Sequence, residues 1–523
     1  MQICLVNPRI PPAAMNFQFA MDLVDCAFSH IPLALCTLAA LTPASMSVRI
    51  VDENVEPVFL DLEADIIAMT GVYCQRERLF ELADAFRARG KRVAIGGPIT
   101  ADVYDQCRAH ADILFIGEAE YTWPKFCEDL RTGTVKAEYR QTEFVDMRDS
   151  PQPRFDLLKA ERYSSACIQA TRGCPYRCEY CDVPEKQGSR PRSKPIENVL
   201  AEVRALVGLG FDSIFFVDDH FVGNRRYARE LLKALAKLVP KLPLQVYFYT
   251  QVTLNIARDV EMLALFHAAN FRRFFVGIET SDIQKLRAID KRQNTEIGVR
   301  EAIEKIQAHN ITVWAGIIVG LDGDTPSTFD RQYEFISETG ITPTLIGLLQ
   351  AMPGAPLYDR IKRERRLRVL HDVVGSNSLG SIESQGRTNI EPMGMTIPEL
   401  MSGFGDFVER VYDPDAYGDR LLRSTAKGTR AHPNVLAALT KKNAKIIARM
   451  ARWYVRHDDP AVRRLLLRVL GAAARRRGRG LEELVYHLVI YKHLRTFYSR
   501  AASSARAAAA RYSAPEVVIA QAS

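Results

Sequence analysis

Three things are scarce in this chain of 523 residues. No run of 18 uninterrupted apolar residues occurs; the longest apolar stretches, Ile31 to Ala44 and Ile311 to Leu321, are the size of core elements. A membrane-crossing helix is therefore excluded. No cysteine follows residue 181: Cys4, Cys26, Cys36, Cys74, Cys107, Cys127, Cys167, Cys174, Cys178 and Cys181 make up the ten. In a protein of this size without a secretory signal they do not read as a disulfide framework, and the seven scattered ones read as small buried hydrophobes. A basic leader with a cleavage site is also missing, since MQICLVNPRI enters a strand pattern at once. No secretory signal is expected, and the chain reads as cytoplasmic.

What is present is ordinary in amount and uneven in placement. An apolar fraction of 47% and a charged fraction of 25% exclude wholesale disorder, and the length suggests three or four domains. Residues Asp419 to Tyr512 carry 22 Lys and Arg against 5 Asp and Glu, a local charge of +17, whereas residues 1–418 sum to −8. The C-terminal fifth is a cationic module on a mildly acidic body.

Residues 1–140 alternate β-branched runs with helical patterns. Strands are expected at Ile3–Asn7, Val48–Asp52, Ile66–Thr70, Arg92–Ile95 and Ile113–Ile116, with helices near Pro32–Leu41, Arg76–Arg89, Asp102–His110 and Thr122–Leu130. Such alternation predicts a parallel, doubly wound (Rossmann-like) sheet, in which ligands bind beyond the carboxyl ends of the strands. Those ends read Asn7-Pro8-Arg9, Thr70-Gly71-Val72-Tyr73, Gly96-Gly97-Pro98 and Gly117-Glu118. The glycines either let backbone approach a ligand or simply make tight turns. Residues 141–162 begin with a polar, proline-punctuated linker. From 163 to 370 a second alternation, with strands at Ala166–Thr171, Ser213–Asp218, Gln245–Thr250, Arg273–Glu279, Thr312–Gly320 and Thr344–Gln350, predicts a partial (β/α)6 barrel. Residues 371–512 read as a mostly helical, basic domain, entered through a Gly/Ser-rich segment from Gly375 to Gly386 that either covers a site or connects domains. Leu481, Leu484, Leu488, Tyr491 and Leu494 give one helix an apolar face. The Ala/Ser-rich stretch from Ala501 is expected to fray, as is the tail 513–523.

The most specific motif is Thr171-Arg-Gly-Cys174-Pro-Tyr-Arg-Cys178-Glu-Tyr-Cys181, a C-x3-C-x2-C loop directly after a predicted strand. Three thiolates so close together can hold a metal centre. Structural zinc wants a fourth ligand, and the only histidine pair at zinc-finger spacing, His487 and His493, is spaced to point at different helix faces. Three ligands suit an iron–sulfur cube with one iron left open.

A C-x3-C-x-aromatic-C loop after the first strand of a six-stranded partial barrel resembles the radical S-adenosylmethionine superfamily. The resemblance implies that Cys174, Cys178 and Cys181 ligate a 4Fe–4S cluster whose open iron takes S-adenosylmethionine, with Tyr180 packing near the adenine. Phe216-Val-Asp218-Asp219 stands where the family has Gly-Gly-Glu, so either aspartate would meet the methionyl ammonium; a helix N-cap is the plainer use of such a pair. Gly277-Ile-Glu279-Thr280 is similar to the fourth-strand motif that reaches the ribose or carboxylate. Gly316-Ile-Ile318-Val-Gly320 is similar to the fifth-strand motif that lies against adenine.

A doubly wound domain ahead of this barrel looks like the cobalamin-binding subgroup, and the texture of Val217-Asp-Asp219, Gly223-Asn224, Thr253-Leu-Asn255-Ile256 and Leu349-Gln-Ala-Met-Pro353 is similar to the hopanoid C-2 methylase group. Asn7, Gly71, Tyr73, Gly96, Gly97 and Gly117 would line the corrinoid. Asp218-Asp-His220-Phe-Val-Gly223 has the form of a cobalt-ligating D-x-H-x-x-G motif but falls in the barrel, so the resemblance implies a corrinoid bound without a protein histidine. The alternative is a degenerate N-terminal domain that only braces the barrel. The reaction implied is radical C-methylation at an unactivated carbon: a 5′-deoxyadenosyl radical takes a substrate hydrogen, and the carbon radical takes methyl from methylcobalamin. Rivals are a non-methylating radical rearrangement, such as cyclisation or ring contraction, and a non-catalytic iron–sulfur or corrinoid sensor. Expected partners are a small-molecule or lipid substrate and a low-potential electron donor. Arg475 to Arg479, Lys441, Lys442, Lys445, Arg449 and Arg452 are suited to an anionic membrane surface or are a solvated helical face. No nucleic-acid-reading motif accompanies them.

Overall fold

The computed structural model describes residues 1–368, 381–426, 441–475 and 481–512, the side chains at 383, 426, 441–443 and 481–482 excepted. It divides into two compact units: Met1–Pro11 with Ala27–Tyr176 and Asp182–Tyr247, and Pro12–Cys26 with Arg177–Cys181 and Phe248–Ser523.

In the first unit the strands are β1 (Gln2–Asn7), β2 (Phe28–His30), β3 (Ser47–Asp52), β4 (Ile66–Thr70), β5 (Arg92–Gly96), β6 (Ile113–Ile116), β7 (Glu138–Arg140), β8 (Tyr163–Ile168), β9 (Thr171–Arg172), β10 (Arg192–Ser193) and β11 (Ser213–Phe216). Six of them form a parallel sheet in the order β3-β1-β4-β5-β6-β7. Parallel sheets are covered on both faces, which is why Ile66-Ile-Ala-Met69 and Ile113-Leu-Phe-Ile116 are unbroken apolar runs, all buried. Chain order turns back at β1, placing the topological switch point between β1 and β4.

Two strands carry no run long enough to be read in advance. β7 is Glu-Tyr-Arg; Tyr139 anchors it, stacked on Phe115 at 5.3 Å with its hydroxyl donating to Asp129 at 2.8 Å. β2 pairs with β8 through Phe28 and His30. The stretch from Gln141 to Pro153 has no regular structure, as expected of a linker, yet it is pinned. Val145 and Met147 are buried, the Val145 N–H donates to Glu118 at 2.6 Å, and the Arg192 guanidinium donates to the Val145 carbonyl at 2.6 Å. The first barrel strand stops at Ile168 rather than Thr171. Ala170 and Thr171 turn their N–H groups toward Asp218, and Thr171 starts the short antiparallel pair of β9 with β10.

The second unit holds β12 (Tyr247–Val252), β13 (Phe271–Glu279), β14 (Thr312–Val319) and β15 (Thr344–Leu348), parallel in that order. β8 and β11 of the first unit and these four of the second are strands where the sequence leads one to expect the six of a partial barrel. The helices Ile397–Val411, Pro414–Ala426, Lys441–Val455, Pro460–Arg475 and Leu481–Tyr512 follow. Among the described residues no helix is long and apolar enough to cross a membrane.

The last helix corrects one expectation. It runs without a break to Tyr512, and Ala501, Ala502 and Ala505 are fully buried. Alanine there is a packing device: a Cβ on Gly386 would stand 2.8 Å from the Cβ of Ala505, and one on Gly405 would stand 3.3 Å from the Ala502 carbonyl. The expected fraying at 513–523 lies outside the described residues, as do Gly375–Gly380 and Arg476–Arg479. Leu484, Leu488, Tyr491 and Leu494 are buried as their spacing requires. Much of the surplus cationic charge is internally engaged. Arg468 pairs with Asp415 and Asp419, Arg495 with Asp459, Lys492 with Asp22, Arg449 with Asp25 and Arg506 with Asp406 and Glu409. Arg420, buried, donates to the carbonyls of Ile341 and Val411.

Candidate active site

The entry to the cysteine loop belongs to the first unit. Asp218, just past β11, is buried and accepts from the Thr171 N–H at 2.5 Å, the Thr171 hydroxyl at 2.6 Å and the Ala170 N–H at 3.2 Å. Burial pushes its carboxyl up to about 7 against those hydrogen bonds. Asp219 accepts from the Gly173 N–H at 2.7 Å and is half-buried. Gly173 has φ +99° and a Cβ there would stand 2.8 Å from the Gly188 carbonyl, so only glycine fits this turn. Cys174 follows, its N–H donating to the same carbonyl at 3.1 Å. The aspartate pair is thus a clamp on the loop. The N-cap of the next helix, Arg225–Leu238, is Asn224, which accepts from the Tyr227 N–H at 3.1 Å. His220 is buried against the Tyr176 ring at 5.2 Å in the barrel part of the unit.

The rest of the loop belongs to the second unit. Cys178 is buried and Cys181 half-buried, and the Cys181 N–H closes a turn on the Cys178 carbonyl at 3.0 Å. Tyr180, between them, donates to the Glu279 carboxylate at 2.8 Å and accepts from the Lys291 ammonium at 2.7 Å; Lys291 also pairs directly with Glu279. All three are desolvated. Burial opposes the charge on Lys291, but Glu279 and the nearby Cys178 and Cys181 sulfurs outweigh it and hold the ammonium above its usual range. Burial and Glu279 likewise hold the Tyr180 phenol well above its ordinary value.

Glu279 reaches this position through strain. It sits at φ +65°, unusual for a side chain larger than Asn, where the register of β13 against β14 slips between Gly277 and Glu279. Gly277 is glycine because a Cβ there would stand 2.6 Å from the Lys291 Nζ. Across the ladder it faces Gly316, where a Cβ would press on the Phe275 ring at 3.2 Å. Ile318 is buried in β14. Gly320, at φ +90°, donates to Asp324 at 2.8 Å, and Asp324 pairs with Lys285. The fourth- and fifth-strand motifs therefore adjoin.

Among the described residues no three Cys, His, Asp or Glu side chains converge on one point. Thiolates of a 4Fe–4S cube each bind a different iron and need not converge. His493 is bonded at both ring nitrogens, accepting from the Phe19 N–H at 3.2 Å and donating to the Ala13 carbonyl at 3.1 Å; His487 is buried beside Glu483. The loop fits an iron–sulfur cluster.

At the carboxyl edge of the N-terminal sheet, Asn7 donates to Asp52 at 3.0 Å and accepts from Gln75 at 3.1 Å, and Asp52 also accepts from the Tyr163 hydroxyl at 2.8 Å. Gln75, buried at the switch point, carried no signal in the sequence. At each of the strand-end glycines a Cβ would meet protein atoms, most firmly at Gly97 and Gly117, where φ is also positive. A Cβ on Gly71 would stand 2.6 Å from Leu79, on Gly96 3.2 Å from Phe115, on Gly97 2.5 Å from Thr70 Oγ1 and on Gly117 2.5 Å from the Gln141 carbonyl. Tyr73 accepts from Arg76 at 2.6 Å. Asn7, Gly71, Tyr73, Gly96, Gly97 and Gly117 contribute backbone, amide and phenol groups to this edge and no imidazole.

Residues 168–336 match the family model described as the radical SAM superfamily, and residues 355–507 match a domain of unknown function. The chain is 33% identical over 432 residues to an uncharacterized methyltransferase of Synechocystis sp., covering 82% of this chain and 79% of that one. It is 32% identical over 528 residues to the hopanoid C-2 methylase of Rhodopseudomonas palustris, covering 98% and 96%. Its fold is similar to that of the cobalamin-dependent S-adenosylmethionine radical enzyme OxsB, solved with aqua-cobalamin and S-adenosylmethionine bound, with a TM-score of 0.62 at 15% identity over 94% of this chain and 79% of that one.

Proposed function

The chain belongs to the radical S-adenosylmethionine superfamily, and on that premise we propose that it is a cobalamin-dependent C-methyltransferase acting at an unactivated carbon of a lipid or terpenoid substrate. The observation that carries this reading is the cysteine loop. One end is clamped by Asp218 and Asp219, and Cys178 and Tyr180 are gripped by a desolvated network of Glu279, Lys291 and Gln293.

Cys174, Cys178 and Cys181 hold the 4Fe–4S cluster, which when bound supplies the electron that opens radical chemistry on S-adenosylmethionine. Asp218 has both oxygens engaged by Ala170 and Thr171, so Asp219, with one oxygen on Gly173, is the residue for the methionyl ammonium. Glu279, fixed at a strained strand end, takes the ribose or carboxylate. Gly316, Ile318 and Gly320 give the adenine a flat, apolar wall. Tyr180 has its hydroxyl held by Glu279 and Lys291, which fixes the plane of the ring. Cobalamin, held by Asn7, Gly71, Tyr73, Gly96, Gly97 and Gly117, supplies the methyl group when bound. What this chain contributes is positioning and the exclusion of water.

The lipid substrate is supported by the likeness to a hopanoid methylase along nearly the whole of both chains. Peripheral contact with an anionic membrane belongs to the same reading: Leu467 and Leu470 are exposed beside exposed Arg463 and Arg464 on the helix Pro460–Arg475. The test supplies the reconstituted enzyme with methyl-deuterated S-adenosylmethionine, reductant and a bacterial lipid extract. A lipid that gains one deuterated methyl supports the reading. Deoxyadenosine without any labelled lipid overturns methyl transfer to lipid in favour of another radical reaction.

A further inference from the structure

Three contacts tie the cysteine loop to one short segment more than a hundred residues downstream. The Glu179 N–H donates to the Ile289 carbonyl at 3.0 Å, the Lys291 ammonium to the Tyr180 hydroxyl at 2.7 Å, and the Gln293 Nε2–H to the Cys178 sulfur at 3.3 Å. The segment is rigid in its own right. Lys291 N–H returns to the Leu286 carbonyl at 2.8 Å. Asn294, fully buried, accepts from the Leu254 N–H at 3.2 Å and donates to the Gly277 carbonyl at 2.7 Å. Gln293 is 4% exposed. A buried carboxamide aimed at sulfur is poorly used on a neutral thiol, a weak acceptor, and well used on an anionic one, because hydrogen bonds to charged groups are about twice as strong.

We propose that Gln293 is a positioning residue for the iron–sulfur cluster: its N–H···S bond to Cys178 stabilises negative charge on that sulfur and raises the reduction potential of the cluster. This rests on the reading that the three cysteines hold a 4Fe–4S centre. Reduction adds an electron that is shared onto the thiolates, so a donor to sulfur favours the reduced form, and removing it favours the oxidised form. Asn294 and the Lys291–Tyr180–Glu279 network hold the amide in place.

The test uses the full chain reconstituted anaerobically, with iron and sulfide counted, followed by a redox titration read by electron paramagnetic resonance. Gln293→Leu keeps the side chain's bulk and removes the donor. It is expected to load as much iron as the parent, to shift the reduction equilibrium three- to tenfold toward the oxidised form, about 28–59 mV at 59 mV per tenfold for one electron, and to lose one exchangeable-proton hyperfine coupling. Should that variant fail to take up the cluster, Gln293→Asn, which keeps an amide but withdraws it by one methylene, supplies the same comparison. Equal loading with an unchanged or higher potential overturns the proposal. A parent protein that takes up no iron and sulfide overturns it together with the reading beneath it, and the iron count separates the two failures.

Discussion

Replacing Gly97 by alanine separates the two reasons a glycine can stand at the edge of the N-terminal sheet. The residue has φ +89°, and a Cβ would stand 2.5 Å from Thr70 Oγ1, 3.0 Å from the Gly71 carbonyl oxygen and 3.2 Å from the Gly71 nitrogen. Thr70 could rotate away. Gly71 cannot, because its N–H donates to the Gly96 carbonyl at 3.3 Å and its carbonyl accepts from the Ile99 N–H at 3.1 Å. Left-handed backbone with a Cβ costs about 1–2 kcal/mol, and crowding a packed site adds about 1–3 kcal/mol. Gly133 is the control: it has φ +75° with nothing within 4 Å of a Cβ, so alanine there meets only the backbone term. For units of this size 1 kcal/mol moves the melting midpoint by about 2–4 °C, so Gly97→Ala should melt about 2–12 °C below Gly133→Ala. The assay is thermal unfolding without corrinoid, both variants at one scan rate because unfolding of a chain this long is expected to be irreversible. Equal midpoints would refute the packing argument for Gly97.

Other outcomes follow from the same contacts. Glu279→Gln leaves the buried Lys291 ammonium without its counter-charge and should destabilise by about 3–5 kcal/mol; adding Lys291→Met should recover part of the loss, and a Glu279→Gln protein that melts like the parent contradicts the pairing. His493 joins the last helix to residues 13–19, and burial holds its imidazole down to about 3. The unfolded chain takes up a proton near pH 6.5 that the folded one refuses, so stability falls as the pH drops from 6.5 toward 3. Between pH 6.5 and 5 the loss is up to about 2 kcal/mol. His493→Gln should flatten the melting midpoint over that range relative to the parent, and parallel profiles would show that His493 is not the group responsible.

Legibility in the sequence followed the physics of each element. Ile66–Thr70 and Ile113–Ile116 could be read to the residue because strands buried on both faces are continuous apolar runs. β2 and β7 could not, since three residues of mixed character hold no period and are strands only through their partners. The stretch from Ala501 reads as a weak tail because alanine has little hydrophobic signal, yet its small side chain is what lets Gly386 and Gly405 approach. At the site, the cysteine spacing and the strand-end motifs were visible because they are local patterns. Lys291 and Gln293 were not, because nothing near them in sequence marks a contact with Tyr180 or Cys178. Asp218 and Asp219 look alike as letters and are distinguished only by which N–H groups reach them. The strand-end glycines were visible, but not which protein atoms a Cβ at each would meet.

The central claim is tested most directly by anaerobic reconstitution of the cluster, followed by hydroxocobalamin, S-adenosylmethionine and reductant, with 5′-deoxyadenosine and retained corrinoid measured in the same sample. The account predicts both together. Deoxyadenosine without corrinoid would contradict methyl transfer from cobalt, and neither, in a protein fully loaded with iron and sulfide, would contradict radical catalysis and favour a sensor.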